Sequence, residues 1–232
     1  MDVERAKQLA AEAAFDRVAD GMCLALGTGS TVEAGLPRLA ARVRAGLGIT
    51  CVSSSERTVR AAASLGLPMV DLDHVERIDC LVDGADQVAP DLAMIKGRGG
   101  ALTREKKLAS IAAHRIYAID SGKQVPVLGN TWLPIEVLPY GWRFTLAAIG
   151  HALEGEVGGG EVRVREEGGA PQRSDNGNYL ADGRIGAVAD PARLERALRV
   201  IPGVIETGLF VGFADLVIVS DGASVTVNRR PA

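Results

Sequence analysis

The sequence predicts an α/β protein, with a doubly wound, mostly parallel sheet of the Rossmann-like kind and a smaller ferredoxin-like α+β domain inserted into it. In the first half of the chain, short apolar runs alternate with longer amphipathic stretches, which is typical of βαβ units. In the second half the order of elements changes to βαββαβ, the order of a ferredoxin-like unit. We therefore expect residues 1–131 and 209–232 to form the α/β domain and residues 132–208 the inserted domain.

The elements of the first half follow from apolar runs, which predict buried strands, and from apolar residues at helical spacing, which predict helices. Helices are predicted at the N-terminus and at residues 32–43, 56–65 and 104–114, and strands at residues 22–26, 49–53, 79–82 and 116–119. Ligands of parallel sheets bind beyond the carboxyl ends of the strands, so the loops that follow these strands are the expected place for a site.

The elements of the second half are two helices, at residues 143–153 and 191–200, and four strands, at residues 134–138, 161–165, 178–181 and 204–207. Between two of these strands, Asn176 and Gly177 predict a hairpin with a type I′ turn, because that turn needs positive φ at both central residues. The apolar run Leu216–Ser220 is expected to return to the first sheet as an additional strand.

Charge and composition disfavour several classes of protein. A net charge of −3 argues against sequence-independent nucleic-acid binding, although a few local donors suffice for a small anion. No apolar run approaches the roughly 20 residues of a membrane-spanning helix, and the N-terminus lacks the layout of a signal peptide. The three cysteines form no CxxC pair and the three histidines are scattered, so neither a disulfide nor a metal site is expected. These features favour a cytoplasmic protein without a membrane or nucleic-acid partner.

The loop of residues 27–31, Gly-Thr-Gly-Ser-Thr, joins a predicted strand to a predicted helix. Its glycines allow a tight turn, and the helix N-terminus offers N–H groups and the positive end of a dipole. A phosphate or carboxylate suits such a loop, with the candidate ligands Thr28, Gly29, Ser30 and Thr31. A plain turn with a Ser or Thr cap explains the same residues. A dinucleotide site is disfavoured because Val32 stands where a third glycine is needed.

A second polar segment follows the strand predicted at residues 79–82 and consists of Asp83, Gly84, Ala85 and Asp86. Two carboxylates at this spacing can face one cleft and accept hydrogen bonds from sugar hydroxyls. The alternative is an Asp-Gly turn whose carboxylates are solvated.

A third segment leads into the helix predicted at residues 104–114 and contains Lys96, Gly97, Arg98 and Gly99. Its glycines and cations predict a flexible loop that faces an anion. With Thr103 as the expected N-cap, Glu105 falls in the first turn, where it either complements the helix dipole or acts as a proton-transferring base. Lys123, after the strand at residues 116–119, either reaches an anion or is a solvated surface lysine.

Taken together, these segments resemble ribose-5-phosphate isomerase of type A. The strings that carry the resemblance are GLGTGSTV, SSSERT, DGAD, MIKGRGGALTREK, DSGKQV, LPIEVLP, SDNGN and IPGVIETGLF, in the family's order from Lys7 to about Asp221. The resemblance implies that Glu105 is the catalytic base and that Asp83, Asp86 and Lys96 assist it. It implies that residues 28–31, 83–86 and 96–99, with Lys123 and Lys7, bind a sugar phosphate. It also implies a homodimer that needs no cofactor and works in the non-oxidative pentose phosphate pathway.

Two positions depart from the family pattern. Gln87 stands where the family usually has an acid, and Arg98 where it usually has a glycine. We expect Gln87 to alter contacts with the sugar hydroxyls and Arg98 to add a cation near the site. A sugar-phosphate-binding regulatory domain is a competing interpretation, but it ordinarily comes with a helix-turn-helix segment, for which the N-terminal helix leaves no room. A CoA transferase with Glu105 as nucleophile is a second one, disfavoured because nothing in the sequence indicates a CoA site.

Overall fold

The structure, a computed structural model, describes residues 2–230 and divides into two compact units. The first unit contains the chain up to Ala85, the segment Arg104–Gln124 and the chain from Phe213 onward. The second contains Asp86–Thr103 and Val125–Gly212. The domain bounds given above, which divide the chain by fold type, stay a prediction.

The α-helices begin and end close to the predicted positions. They are α1 Val3–Phe15, α2 Ser30–Arg44, α3 Glu56–Ser64, α4 Leu102–Ile111, α5 Trp142–Val157 and α6 Pro191–Arg199. Two short 3₁₀ turns, Leu72–His74 and Ser121–Lys123, accompany them. None of the helices within residues 2–230 combines the length and the apolarity that crossing a bilayer requires.

The strands belong to several sheets. In chain order they are β1 Cys23–Leu26, β2 Thr50–Ser53, β3 Ile78–Asp83, β4 Gln87–Val88, β5 Met94–Ile95, β6 Ala112–Asp120, β7 Gly129–Val137, β8 Val162–Val164, β9 Glu166–Glu167, β10 Ala170–Pro171, β11 Tyr179–Ala187, β12 Val204–Thr207, β13 Leu209–Phe210, β14 Leu216–Ser220 and β15 Val225–Arg229.

A six-stranded sheet in the order β15-β14-β6-β3-β1-β2 forms the centre of the first unit. Its pairs are parallel except for β15, which runs antiparallel to β14 at the edge. The core around it contains the buried faces of α1 and α2, and Phe15 and Leu36 are at most 1% exposed. Cys51 and Cys80 belong to this core, where burial raises the pKa of each thiol to about 12. The mostly parallel α/β sheet and the return of Leu216–Ser220 are thus confirmed.

The second unit contains a four-stranded antiparallel sheet in the order β12-β7-β11-β8. Along the chain its elements run β7, α5, β8, β11, α6, β12, which is the predicted βαββαβ order. The helices α5 and α6 pack their apolar residues on the sheet, and Leu153 and Leu198 are fully buried there. A small sheet in the order β13-β5-β4 completes the unit and was not predicted, because strands of two residues carry no readable periodicity.

The structure corrects three local predictions. The helix at residues 104–114 ends at Ile111, because Ala112 and His114 pair with β3 and belong to β6 instead. Thr103 lies inside α4 rather than capping it, and its hydroxyl donates to Glu136. The turn at Asn176 is not of type I′: among the non-glycine residues of 2–230, only Leu92 and Asn130 have positive φ.

Candidate active site

The glycine loop of the first unit connects β1 to α2 and forms the N-terminus of that helix. Gly29, with φ of +115°, is the N-cap of α2, so no side chain caps this helix end. The hydroxyl of Thr28 hydrogen-bonds to that of Ser54 at 2.8 Å instead. The alternative of a Ser or Thr cap is therefore wrong, and no side-chain cap satisfies the N–H groups at the positive end of this helix.

Asp83 ends β3 and is completely buried beside this loop. Its Oδ1 accepts hydrogen bonds from the N–H groups of Thr28 at 3.2 Å and Gly84 at 2.7 Å. Gly27 packs against the carboxylate so closely that a Cβ at this position lies 2.0 Å from Asp83 Cγ. Asp83 is therefore not the solvated turn residue of the alternative interpretation.

The strand order brings several predicted residues to one edge of the sheet. β6, β3 and β1 are neighbours and parallel, so their carboxyl ends lie side by side. A Cβ built on Gly84 lies 3.7 Å from the Cβ of Thr31, which places the loops after β3 and β1 in contact. Lys123 follows β6 in the turn Ser121–Lys123, and Asp120 accepts from the N–H of Gly122 in that turn at 3.1 Å.

Glu105 and Lys7 complete the predicted residues of the first unit. Glu105 lies in the first turn of α4 and is only 3% exposed. A carboxylate that merely complements a helix dipole stays in solvent, because burial of an ionisable group costs free energy. Burial therefore argues against a carboxylate that merely complements the helix dipole, and the role of Glu105 as a base stays a prediction. Lys7, on α1, is 16% exposed and pairs with Glu4 at 2.7 Å.

The second unit holds the loop that follows β5. Lys96 is 2% exposed, its N–H donates to the carbonyl of Gly208 at 2.9 Å, and its Nζ lies 5.4 Å from the ring centre of Phe210. Asp86 accepts from the N–H of Arg98 at 3.2 Å. The structure thus joins Asp86 to the loop of residues 96–99 within this unit.

Two glycines of this loop adopt backbone conformations that other residues rarely adopt. Gly97 has φ of +104° and Gly100 has φ of +83°, a region that side chains strain to enter. A Cβ on Gly97 lies 2.8 Å from the Cβ of Leu102. Gly99, by contrast, is exposed. Residues 98–99 of the loop are therefore exposed, whereas Lys96 is buried.

The two positions that depart from the family pattern have defined contacts. The amide of Gln87 pairs with the backbone of Gly129 through two hydrogen bonds of 2.9 Å. The side chain of Arg98 is 58% exposed, lies 3.9 Å from a carboxylate oxygen of Asp86 and donates to Thr131 at 3.2 Å. Arg98 therefore adds an exposed cation next to Asp86.

Glu136, a fully buried carboxylate on β7, was not among the predicted site residues. It accepts hydrogen bonds from four side chains, namely Thr103 at 2.6 Å, Ser174 at 2.8 Å, Asn176 at 3.1 Å and Asn178 at 2.8 Å. A charged residue inside the apolar run LPIEVLP was the available signal. The pair of Arg165 and Asp182 was not predicted either, because no local signal in the sequence indicates it.

The predicted site residues fall in both units. The first holds Lys7, Thr28, Gly29, Ser30, Thr31, Asp83, Gly84, Ala85, Glu105 and Lys123, and the second holds Asp86, Lys96, Gly97, Arg98 and Gly99. Within residues 2–230, no group of three or more His, Cys, Asp or Glu side chains is arranged to hold a metal ion. The buried carboxylates supply groups for proton transfer, and the glycine loop supplies donors for an anion.

Comparison with known proteins gives a consistent result. A family model described as ribose 5-phosphate isomerase A (phosphoriboisomerase A) matches residues 50–223. The ribose-5-phosphate isomerase A of Thermomicrobium roseum is 44% identical over 232 residues, which are 99% of this chain and 96% of the relative. That of Gloeobacter violaceus is 44% identical over 229 residues, 98% of this chain and 97% of the relative.

Solved structures agree with the fold. A D-ribose-5-phosphate isomerase in complex with phospho-erythronic acid has a TM-score of 0.92 at 36% identity, covering 99% of this chain and all of its own. The ribose 5-phosphate isomerase A of Methanocaldococcus jannaschii has a TM-score of 0.88 at 32% identity, covering 96% of this chain and 97% of its own. The predicted fold class is thereby confirmed.

Proposed function

Because the chain belongs to the ribose 5-phosphate isomerase A family and is an aldose–ketose isomerase of D-ribose 5-phosphate and D-ribulose 5-phosphate, we propose the following roles for its residues. Glu105 is the base that moves a proton between C2 and C1 of the open sugar. Asp83, Asp86 and Lys96 handle protons and charge at the sugar oxygens. The remaining substrate contacts come from residues 28–31, Gly84, Ala85, residues 97–99, Lys123 and Lys7.

The reaction is balanced in protons. Asp86 assists ring opening by exchanging a proton with the ring and anomeric oxygens. Glu105 takes the proton of C2, which leaves a cis-enediolate, and returns it to C1, while the proton of O2 leaves and O1 gains one. A positioned base contributes roughly 10²–10⁴-fold to the rate, and stabilisation of oxyanion charge by fixed donors contributes at least as much.

The phosphate is assigned to the glycine loop. The first turn of α2 starts at Ser30 with a glycine N-cap, so no side-chain cap satisfies its N–H groups, and the helix dipole favours an anion there. Anchoring the phosphate holds the reacting carbons in place, which lowers the entropic cost of reaching the transition state. The solved relative in complex with phospho-erythronic acid, an acid that carries a phosphate, supports a phosphate ligand here.

The observation that carries the assignment of the base is the burial of Glu105 in the first turn of α4. We predict that Glu105→Gln keeps the fold and lowers kcat by about 10²–10⁴-fold, because the amide cannot accept the proton. The measurement is ketose formation from ribose 5-phosphate in D₂O after treatment with a chelator. The wild type should also incorporate deuterium into the sugar.

The exposed Glu166→Gln serves as the control and should retain wild-type turnover. Isomerisation by Glu105→Gln at close to the wild-type rate would remove Glu105 from the mechanism. Binding of ribose 5-phosphate by the wild type without conversion would instead contradict the enzymatic function itself.

We further propose that the chain is a cytoplasmic homodimer. Tyr140 is 89% exposed and Phe144 is 85% exposed, and aromatic side chains this exposed are typical of interfaces. The second copy is expected to cover them. Free, buried cysteines agree with a reducing compartment. We also propose the division into a catalytic α/β domain of residues 1–131 and 209–232 and a ferredoxin-like domain of residues 132–208, which the order of strands supports.

We predict a mass in solution of twice the 24.2 kDa of one chain by light scattering. The double variant Tyr140→Ser with Phe144→Ser should shift the equilibrium to the monomer, whereas Val127→Ser, a control at a half-exposed valine, should not. A monomeric wild type contradicts the dimer, and a dimer that survives the double variant contradicts this interface.

A further inference from the structure

Arg165 connects the inserted sheet to the loop of residues 97–99 within the second unit. Its guanidinium binds both carboxylate oxygens of Asp182, with Nε at 3.0 Å from Oδ2 and Nη2 at 2.8 Å from Oδ1. The same group donates to two backbone carbonyls of the loop, from Nη1 to Arg98 at 3.0 Å and from Nη2 to Gly97 at 3.3 Å. One side chain thus holds two consecutive peptide groups.

The surroundings of Arg165 make this bridge rigid. The side chains of Arg165 and Asp182 are 14% and 11% exposed, so their hydrogen bonds compete little with water. The backbone of Arg165 follows β8 and is held on both sides, by its N–H to Leu180 at 2.8 Å and by its carbonyl to Gln172 at 2.8 Å. The planar guanidinium of arginine has N–H donors on two edges and can bind a carboxylate and two carbonyls at once. The ammonium group of a lysine cannot reproduce this geometry.

Fixing a carbonyl also fixes an N–H, because the two point to opposite sides of a planar trans peptide. The first peptide shows this directly: the carbonyl of Gly97 faces Arg165, and the N–H of Arg98 donates to Asp86 at 3.2 Å. In the second peptide the carbonyl of Arg98 faces Arg165 in the same way, so the N–H of Gly99 points away from Arg165. The bridge therefore sets the direction of two loop donors.

We propose that Arg165, held by Asp182, is a positioning residue for the isomerisation. It orients two peptide groups of the loop, so that the N–H of Arg98 is fixed on Asp86 and the N–H of Gly99 is fixed as a donor before substrate binds. The inference rests on the proposed function, in which this loop meets the sugar end of the substrate. Donors that are already oriented stabilise a developing oxyanion without reorganisation. Loss of the bridge consequently affects turnover more than binding of the phosphate.

The test compares two arginine–carboxylate pairs of the same geometry. Arg115 donates to both oxygens of Asp215, at 2.9 and 2.7 Å, and is 20% exposed, but it belongs to the first unit and holds no carbonyl of the 97–99 loop. We expect Arg165→Lys to lower kcat about 10–100-fold, since a small misplacement of binding groups costs this much. KM and the inhibition constant of inorganic phosphate should change less than about threefold. Arg115→Lys should leave kcat unchanged.

Asp182→Asn is the second variant and should also lower kcat, because it weakens the support of Arg165 while keeping the size of the side chain. If Arg165→Lys does not fold, the kcat of Asp182→Asn tests the positioning role instead. Wild-type kcat in a folded Arg165→Lys or Asp182→Asn protein overturns the inference, as does an equal loss in Arg115→Lys. A wild type that fails to isomerise ribose 5-phosphate is a different result, because it contradicts the proposed function first.

Discussion

At the scale of single residues, the chemistry of this chain depends on which polar groups are buried. Asp83, Lys96 and Glu105 are at most 3% exposed, although residues of these types are ordinarily solvated. Their positions are made possible by glycines that leave room or adopt positive φ, as Gly27 does beside Asp83 and Gly97 beside Leu102. The glycines are thus as much a part of the site as the charged side chains.

Gly27 offers a direct test of this point. In Gly27→Ala the new Cβ overlaps the carboxylate of Asp83, so we predict a displaced carboxylate, a loss of about 1–3 kcal/mol in the free energy of unfolding and a roughly 100-fold lower kcat. The measurements are urea denaturation and steady-state kinetics.

Gly29→Ala is the comparison, because a Cβ at Gly29 meets no atom within 4 Å and the only cost is strain at φ of +115°. We expect it to raise KM through the phosphate loop while kcat falls less than in Gly27→Ala. If Gly27→Ala turns over at the wild-type rate, Asp83 is not required where the structure places it.

At the scale of elements, Glu136 ties three parts of the second unit together. It lies on β7 and accepts from Thr103 at the start of α4 and from the loop of residues 174–178 before β11. A carboxylate that accepts four hydrogen bonds from neutral donors needs no cation, because the donors replace its hydration. The network therefore holds the beginning of the helix that carries Glu105.

We predict that Glu136→Gln lowers the free energy of unfolding by about 2–3 kcal/mol. Hydrogen bonds to a charged acceptor are stronger than those to an amide oxygen, and the NH₂ group of the new glutamine would face a hydrogen-bond donor. Urea denaturation measures the change. Glu167→Gln, at an exposed position of β9, should shift stability by no more than about 0.5 kcal/mol. An equal effect of the two substitutions contradicts the role of the network.

At the scale of the whole molecule, the first sheet is assembled from segments that are far apart in the chain. Arg115 of β6 and Asp215, which precedes β14, are 100 positions apart and form a bidentate pair. The hydrogen bond from the Arg115 guanidinium is the main reason why the pKa of Asp215 is lowered, with partial burial opposing it. A lowered pKa in the folded state means that the pair stabilises the protein while Asp215 is ionised.

The sign of this effect predicts its pH dependence. The stabilisation is fully present above the ordinary aspartate pKa of about 3.9 and is lost as the pH falls through the lowered pKa of Asp215. Asp215→Asn should therefore lower stability by about 1 kcal/mol at neutral pH, a value discounted for solvent screening, and by progressively less as the pH falls below the ordinary aspartate pKa. Thermal melting of both proteins at constant ionic strength measures it. A difference that does not shrink in acid contradicts the assignment.

The features of this protein that could be predicted are those that depend on residues close together in the sequence. The order of the six helices and of most of the longer strands, the glycine loop of residues 27–31 and the return of Leu216–Ser220 were predicted, because apolar periodicity and turn residues act over a few positions. The two-residue strands and β15 were not predicted. The end of α4 at Ile111 was not, because pairing of residues 112–114 with β3 outweighs their helix propensity.

The sequence by itself determined the fold class, the family and the identity of the candidate residues, since each depends on patterns within short strings and on their order. Only the tertiary structure decided that Asp83 and Glu105 are buried, that Glu136 collects four donors and that Arg165 holds the 97–99 loop. The reason is physical. Burial and hydrogen bonding depend on partners tens of positions away, such as the 68 between Arg165 and Gly97, and these meet only after the sheets have formed.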